Sequence, residues 1–255
     1  MATRRSYYGA RGLSTPFYDT VTAVDADVHG DLAIYESLAP AGATILELGS
    51  GTGRLALPLA EHGFTVTGIE IAPAMLAQAN AKRFDTEPKV GRRMEFIRGD
   101  MTSLNLQRTF DLVICPHFTL AHLPRGAAWR NTFAVAARHL RPGGIAAFHL
   151  PMLAFMRLPG PENSTDAALD EPTPSGGRLR LYIREREFDV AQGKLDQIIE
   201  YVEFDARGQM LRQSLERLTY YGGDPTPMAA PEGLTIGREP IRLGENGEIH
   251  VFLKA

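Results

Sequence analysis

The chain has 255 residues, a formal net charge of −3, 44% hydrophobic and 22% charged residues. That size and balance suit one globular domain, or one domain with an insertion, that buries its own core. They give no electrostatic reason to expect nucleic acid; no apolar run reaches the ~20 residues that span a bilayer; and one cysteine, Cys115, excludes an internal disulfide. The opening "MATRRSYYGA" has two arginines but no apolar stretch of the secretory type, so the cytoplasm is the expected location and a membrane is not.

Residues 1–24 are mixed and aromatic, with Tyr7, Tyr8, Phe17 and Tyr18. The spacing of Leu32, Ile34, Tyr35 and Leu38 predicts a helix over 25–39, stopped by Pro40 and Gly42. Strands and helices then alternate. Strands are predicted at 43–49, 65–71, 93–100, 110–116 and 145–150, and helices at 54–63, 72–84 and 125–140. The first helix accepts Pro58 in its early turns, the second has Pro73 near its start, and "RPGG" turns the chain after the third. This alternation predicts parallel strands with crossover helices, an α/β doubly wound sheet.

The pattern changes after residue 151. Residues 157–177 are rich in Pro, Gly and polar residues and are expected to form a surface loop or lid. Three antiparallel strands are predicted at 178–190, 194–205 and 209–221, joined by "AQG" and "ARG". Two more, "LTIGREPIRL" and "EIHVFLKA", close the chain across "GENG". No separate domain and no fixed-period repeat is apparent: the expectation is one core with an antiparallel insertion.

The stretch "ILELGSGTGRLALPLA" raises the functional question. An apolar strand carries Glu47 and ends at Gly49-Ser50-Gly51-Thr52-Gly53. Glycines there allow positive φ and a ligand's close approach to backbone N–H groups at a helix start. Ligands of doubly wound sheets sit at the carboxyl ends of the strands. Glu70, at the next strand end and 17 residues past Gly53, suits ribose hydroxyls. A nucleoside-containing cofactor follows. The loop also fits the permissive dinucleotide pattern G-x-G-x-x-A, but three features depart from a dinucleotide. Glu47 would repel a pyrophosphate and welcome an ammonium. Asp100 in "RGDM" suits an adenine amino group, with Met101 against the ring. The glycines alternate as G-S-G-T-G. A ligand with an amino-acid end, a ribose and an adenine answers all three.

The motifs "ILELGSGTGRLALPLA", "VTGIEIAPAML", "FIRGDM", "FDLVICPHFTLAHL" and "LRPGG", in that order over residues 25–151, resemble class I S-adenosylmethionine-dependent methyltransferases of the small-molecule type. The resemblance implies a seven-stranded, mostly parallel Rossmann-like sheet whose last pair includes one antiparallel strand. It implies S-adenosylmethionine as cofactor, with Glu47, Gly49, Ser50, Gly51 and Gly53 around the methionine part. Glu70 would bind ribose, Ile71 pack on adenine, and Asp100 and Met101 hold the adenine edge and face. Cys115 also falls on the cofactor side. Tyr18, in a "YD" pair, would close over the methionine end. The chain is then read as a single domain, 1–255. Its parts are a cap over 1–42, a cofactor core over 43–151, the antiparallel insertion over 152–222 and a strand pair over 223–255. The family's helix before the last two strands has no obvious counterpart, since "GGDPTPMAAPEG" is short and proline-rich. Cys115-Pro116-His117-Phe118 departs from the Asn- or Asp-Pro-Pro-aromatic signature of enzymes that methylate bases and amides.

The implied reaction is displacement at a sulfonium methyl, in which the protein mainly aligns reactants and excludes water. A general base adds ~10²–10⁴-fold when the nucleophile must lose a proton. His117, His122 and His149 are the candidate bases, His117 first; His122 and His149, with Tyr7, are also candidates for the acceptor side. Each histidine alone also suits packing or hydrogen bonding, His122 suits a helix, and Tyr7 and Tyr8 suit either a lid or a fraying end. No metal-ligand spacing is present. Cys115 and Trp129 read as core residues. Arg178, Arg180, Arg184 and Arg186 share one strand face by period two; they suit an anion, or pairing with Glu200, Glu203, Asp205 or Glu216. The expected reaction is methyl transfer to a nitrogen or oxygen of a small-molecule substrate, with the insertion covering that substrate or forming a homodimer interface. The alternatives are a macromolecule (RNA or protein) methyltransferase, an NAD(P)-dependent oxidoreductase and a non-catalytic cofactor-binding module.

Overall fold

The structure, a computed structural model, describes residues 5–9, 11–163 and 165–255. Residues 1–4 and 10 of the expected cap and residue 164 of the expected loop lie outside the described residues. The strands are β1 (Arg5–Ser6), β2 (Thr44–Leu48), β3 (Thr65–Glu70), β4 (Met94–Arg98), β5 (Phe110–Cys115), β6 (Leu140–Pro151), β7 (Leu169–Pro172), β8 (Arg178–Asp189), β9 (Lys194–Phe204), β10 (Met210–Tyr221), β11 (Leu234–Leu243) and β12 (Gly247–Lys254). The helices used below are α1 (Tyr18–Thr22), α2 (Asp31–Ser37), α3 (Ala56–Glu61), α4 (Pro73–Asp85), α5 (Pro88–Gly91) and α6 (Ala127–His139). The chain forms two compact units, one from 1–25 with 156–221 and one from 26–155 with 222–255.

The larger unit holds a seven-stranded sheet in the order β11-β12-β6-β5-β2-β3-β4. Strands β2 to β6 run parallel; β12 is antiparallel to both β6 and β11. This is the seven-stranded sheet the sequence implied, with its one antiparallel strand in the last pair. Both faces are covered, so Ile45, Leu46, Leu48, Leu112, Val113 and Ile114 are all fully buried. Burying each such side chain stabilises by roughly 1.5–3 kcal/mol. Trp129 is fully buried on α6, as its apolar stripe predicts, and its indole N–H donates to the Leu123 carbonyl at 2.9 Å. Lys254, near the chain end, donates to the Ala137 and Leu140 carbonyls at 2.7 Å each, satisfying acceptors at the end of α6.

Three expectations for this unit change. The helix predicted over 25–39 begins only at Asp31. Gly30 precedes it with φ 90°, and Asp27 instead accepts the Glu245 and Asn246 N–H groups of the β11–β12 turn at 3.2 and 3.1 Å. The "RPGG" turn lies inside β6. Phe110 pairs with Leu140 and Leu112 with Ile145, so the excess residues bulge out with Gly143 at φ 75°. The stretch "GGDPTPMAAPEG" is helical after all: an α-turn at Thr226–Ala229 runs into a 3₁₀ turn at Ala230–Glu232, with prolines in the first turns where helices tolerate them.

The smaller unit is a five-stranded sheet in the order β1-β10-β9-β8-β7. The three long hairpin strands fall where the alternation placed them. The loop expected over 157–177 contains β7, which pairs antiparallel with β8. Residues 12–14 are anchored by Glu216 of β10, which is fully buried. Its carboxylate accepts the Leu13 and Ser14 N–H groups at 2.6 and 3.1 Å, and the Ser14 and Ser214 hydroxyls at 2.5 and 2.6 Å. Gly12 passes so close that a Cβ there would lie 2.5 Å from a Glu216 oxygen.

The arginine row is broken. Ile183 pairs with Ile199 but Glu185 pairs with Ile198, so Arg184 is one extra residue in β8. The bulge reverses the alternation, and Arg186 points to the face opposite Arg178 and Arg180. On the first face Arg178 and Arg180 hold Asp170 of β7 at 2.6 and 3.0 Å, and Arg184 donates to Glu200 at 2.8 Å. Glu203 takes Arg212 instead, and Asp205 closes the "ARG" turn through the Arg207 and Gln209 N–H groups at 2.8 Å.

Candidate active site

The larger unit's sheet reverses strand order at β2, which has β5 on one side and β3 on the other, and the glycine loop leaves β2 there. Gly49, Gly51 and Gly53 have φ of 73°, 55° and 74°. Side-chain-bearing residues rarely adopt that left-handed region, which is why the motif alternates glycine. Gly49 has a second reason: a Cβ would lie 2.2 Å from Thr119 Cγ2. The Gly49 and Ser50 N–H groups donate to the Ile69 carbonyl at 2.8 and 2.9 Å, folding the loop back over the end of β3. Ser50 is buried, and its hydroxyl has no hydrogen-bond partner among the described residues.

Glu47 lies across the ladder from Gly68 and Ile114. It is 2% exposed, and its Oε2 has no hydrogen-bond partner among the described residues. Burial pushes its carboxyl up to about 8; Arg54 draws it down, while Asp31 and Glu70 push it up further. Arg54 holds Asp31 through two contacts, Nη1–Oδ1 at 3.3 Å and Nη2–Oδ2 at 2.6 Å. Asp31 opens α2, so this pair ties α2 to the start of α3. Sequence reasoning missed both residues; the available signal was a lone arginine, Arg54, between the glycine loop and an otherwise apolar helix.

Glu70 is more occupied than the sequence suggested. Its Oε2 accepts the Gly51 N–H at 2.9 Å and its Oε1 accepts the Ala72 N–H at 2.7 Å, so it clamps the glycine loop to the start of α4. A carboxylate has further lone pairs, so ribose hydroxyls remain compatible with this clamp. The adjoining Ile71 is 61% exposed, a large apolar side chain left in water beside the loop. Asp100 is exposed, and its Oδ1 accepts both the N–H and the hydroxyl of Thr102 at 2.8 Å; Met101 is half-buried.

After β5 the backbone is strained. His117 and Phe118 have φ of 48° and 59°, two successive side-chain-bearing residues in the left-handed region. Each costs about 1 kcal/mol or more, and such residues cluster at functional sites. Thr119 stabilises the bend, donating its N–H and hydroxyl to the Pro116 carbonyl at 3.0 and 2.7 Å. His117 is half-buried at this corner. Its neighbour Phe118 is buried, with its ring centroid 5.9 Å from His117, 4.5 Å from His149 and 6.5 Å from Phe155. His149 is fully buried at the end of β6, where a Cβ on Gly247 would lie 2.2 Å from its Nε2. His122 is half-buried and ends a 3₁₀ turn over Thr119–His122. Cys115 is fully buried at the end of β5, and burial pushes its thiol well up.

Tyr7 and Tyr18 belong to the smaller unit. The Tyr7 and Tyr201 hydroxyls share a hydrogen bond of 2.5 Å, and burial raises both phenols well above their usual range. Tyr8, at φ 57°, has its ring 4.4 Å from Tyr7 and 5.7 Å from Tyr18.

Residues 45–144 match the family model of the methyltransferase domain. That stretch of the chain is a methyltransferase domain. The cypemycin N-terminal methyltransferase of Streptomyces sp. is 33% identical to it over 143 residues, 51% of this chain and 51% of that relative. The chain spans about half the length of the curated relatives it matches. Solved structures extend the likeness in fold beyond the methyltransferase domain. The CcbJ methyltransferase from Streptomyces caelestis superposes with a TM-score of 0.74 at 20% identity, covering 98% of this chain and 99% of that one. CalS10, an amino pentose methyltransferase from Micromonospora echinaspora solved with S-adenosylmethionine bound, gives 0.67 at 21% identity, covering 93% and 96%. The donor set fits that cofactor: a buried carboxylate oxygen left over for an ammonium, a second carboxylate at the next strand end, and an exposed apolar side chain for a flat ring.

Among the described residues, no helix is long and apolar enough to cross a membrane.

Proposed function

We propose that the chain transfers a methyl group from S-adenosylmethionine to a nitrogen or oxygen of a small metabolite, acting as one catalytic domain. The observation that carries this reading is Glu47, buried with an oxygen unpartnered among the described residues, directly before a left-handed glycine loop. When bound, the cofactor supplies an electrophilic sulfonium methyl. Glu47 and the glycine loop hold its amino-acid end, Glu70 accepts from the ribose, and Ile71 and Met101 flank the adenine. Asp100 accepts from the adenine amino group, and Tyr18 closes over the methionine end. His117 receives the proton that the nucleophile gives up, while Tyr7, His122 and His149 shape the acceptor side.

A nitrogen acceptor is the favoured version. The support is the cypemycin relative, named for N-terminal methylation, together with full-length likeness in fold to an amino pentose methyltransferase. The paired-charge face of the five-stranded sheet, with Arg178, Arg180 and Arg184, suits a homodimer contact. The test is incubation with methyl-labelled S-adenosylmethionine and a pool of amine and hydroxyl metabolites. Label moving into a small product supports the reading. Label in protein or RNA only, or binding of NADH in place of S-adenosylmethionine, refutes it.

A further inference from the structure

Glu47 is one member of a buried polar cluster beneath the glycine loop. Around it are Asp31 and Tyr35 from α2, Arg54 at the start of α3, Glu70 at the end of β3 and Cys115 at the end of β5. Tyr35 is fully buried, and its hydroxyl, like Glu47 Oε2, has no hydrogen-bond partner among the described residues. The cluster's cation, Arg54, is engaged by Asp31 at 2.6 Å. An ionised Glu47 would therefore face two other carboxylates, Asp31 and Glu70, from a position almost closed to water.

We propose that Glu47 is a neutral acid while the cofactor site is empty and loses its proton to solvent as the cofactor's ammonium group arrives, so that cofactor uptake and proton release are one event. The step balances. The O–H bond of the Glu47 carboxyl breaks, the proton passes to water or buffer, and the carboxylate accepts an N–H from the ammonium. The net charge buried is then zero before binding and zero after it. Burial holds the carboxyl neutral at neutral pH, with Asp31 and Glu70 working against the pull of Arg54. Asp31 thereby gains a role without touching the ligand: it occupies Arg54 and adds the charge that keeps the proton on Glu47. This inference rests on the reading of the glycine loop as the cofactor site.

The experiment is calorimetric titration of the full chain with S-adenosylhomocysteine, which carries the same ammonium. It is run at about pH 6.5, where an α-amino group of the usual value is fully cationic, in two buffers of different ionisation heat. The expected result is release of close to one proton per ligand bound, with affinity rising about tenfold per pH unit between roughly pH 5.5 and 7. Glu47→Gln, which keeps the shape of the neutral acid, should bind with no proton released and with affinity flat in pH. Asp31→Asn should release less than half as much at the same pH, because Glu47 is then already ionised. Binding to the unaltered chain with flat affinity and no buffer-dependent heat overturns the proposal and leaves the cofactor site standing. An unchanged release in Asp31→Asn overturns the part given to Asp31. No binding at any pH overturns the site reading and this inference together.

Discussion

The two sheets reach order by different means. The seven-stranded sheet builds its glycine loop by removing side chains: three glycines in the left-handed region and a fourth, Gly68, where a Cβ would lie 2.7 Å from Ser50 Cβ. The five-stranded sheet is held by added side-chain bonds, above all Glu216 with its four donors and Asp196 with Lys194, Arg217 and Thr219. Backbone-made features leave a readable pattern, because only glycine will do. A buried carboxylate in a strand looks, in sequence, like any exposed acid on an alternating strand.

The difference predicts how each sheet fails. Gly49→Val should have the largest effect, since it meets both the Thr119 methyl and a forbidden φ. A loss on the order of 3 kcal/mol or more, and no detectable S-adenosylhomocysteine binding, would be read by denaturant melts and calorimetry. Glu216→Ala orphans buried donors and should cost roughly 3 kcal/mol, with hydrogen exchange rising first at residues 12–14 and in β10. If exchange rises evenly through both sheets, Glu216 is not a local anchor and the two sheets do not differ in this way.

Glu47 comes next. Its folded value lies above the unfolded one, so its contribution is fully present below about pH 4.5 and is lost as pH rises through about 8. Cofactor-free Glu47→Gln should thus be more stable than the unaltered chain at pH 9, by on the order of 2 kcal/mol, and about equally stable at pH 4. Asp100→Ala touches only an exposed turn; it should weaken S-adenosylhomocysteine binding about tenfold while moving stability by less than about 0.5 kcal/mol.

The smallest effect belongs to Asp196. Desolvation there is outweighed by hydrogen bonds from Arg217, Lys194 and Thr219, which hold its carboxyl down at about 2. A depressed value means that its contribution is present above the ordinary 3.8 and is lost as pH falls towards 2. Asp196→Asn should flatten that acid limb by about 1 kcal/mol after screening, measured by melts between pH 5 and 2.

The parallel core was legible almost throughout, because buried strands are continuous apolar runs and their helices carry proline starts and glycine stops. The start of α2 was not, since Gly30 sits inside a polar run whose turn is fixed by Asp27 holding the distant β11–β12 hairpin. The strand β7 was hidden by the two acids and the proline in "LDEP", which fit an edge strand only once β8 supplies a partner. The bulge at Arg184 was invisible because one inserted residue leaves the local alternation intact on either side. In the site, the glycines, Glu47 and Glu70 could be read from spacing. Asp31 and Tyr35 could not, because their positions depend on how α2 packs rather than on any local pattern.

Cys115 offers a practical consequence. It is the one thiol in the chain, at the carboxyl end of the strand beside β2, and it is wholly shielded from solvent. Alkylating reagents can reach it only when the middle of the large sheet parts. The speed at which a maleimide dye labels the untouched protein is therefore a direct clock for opening of the central strands, and a ligand seated on the glycine loop should slow that clock.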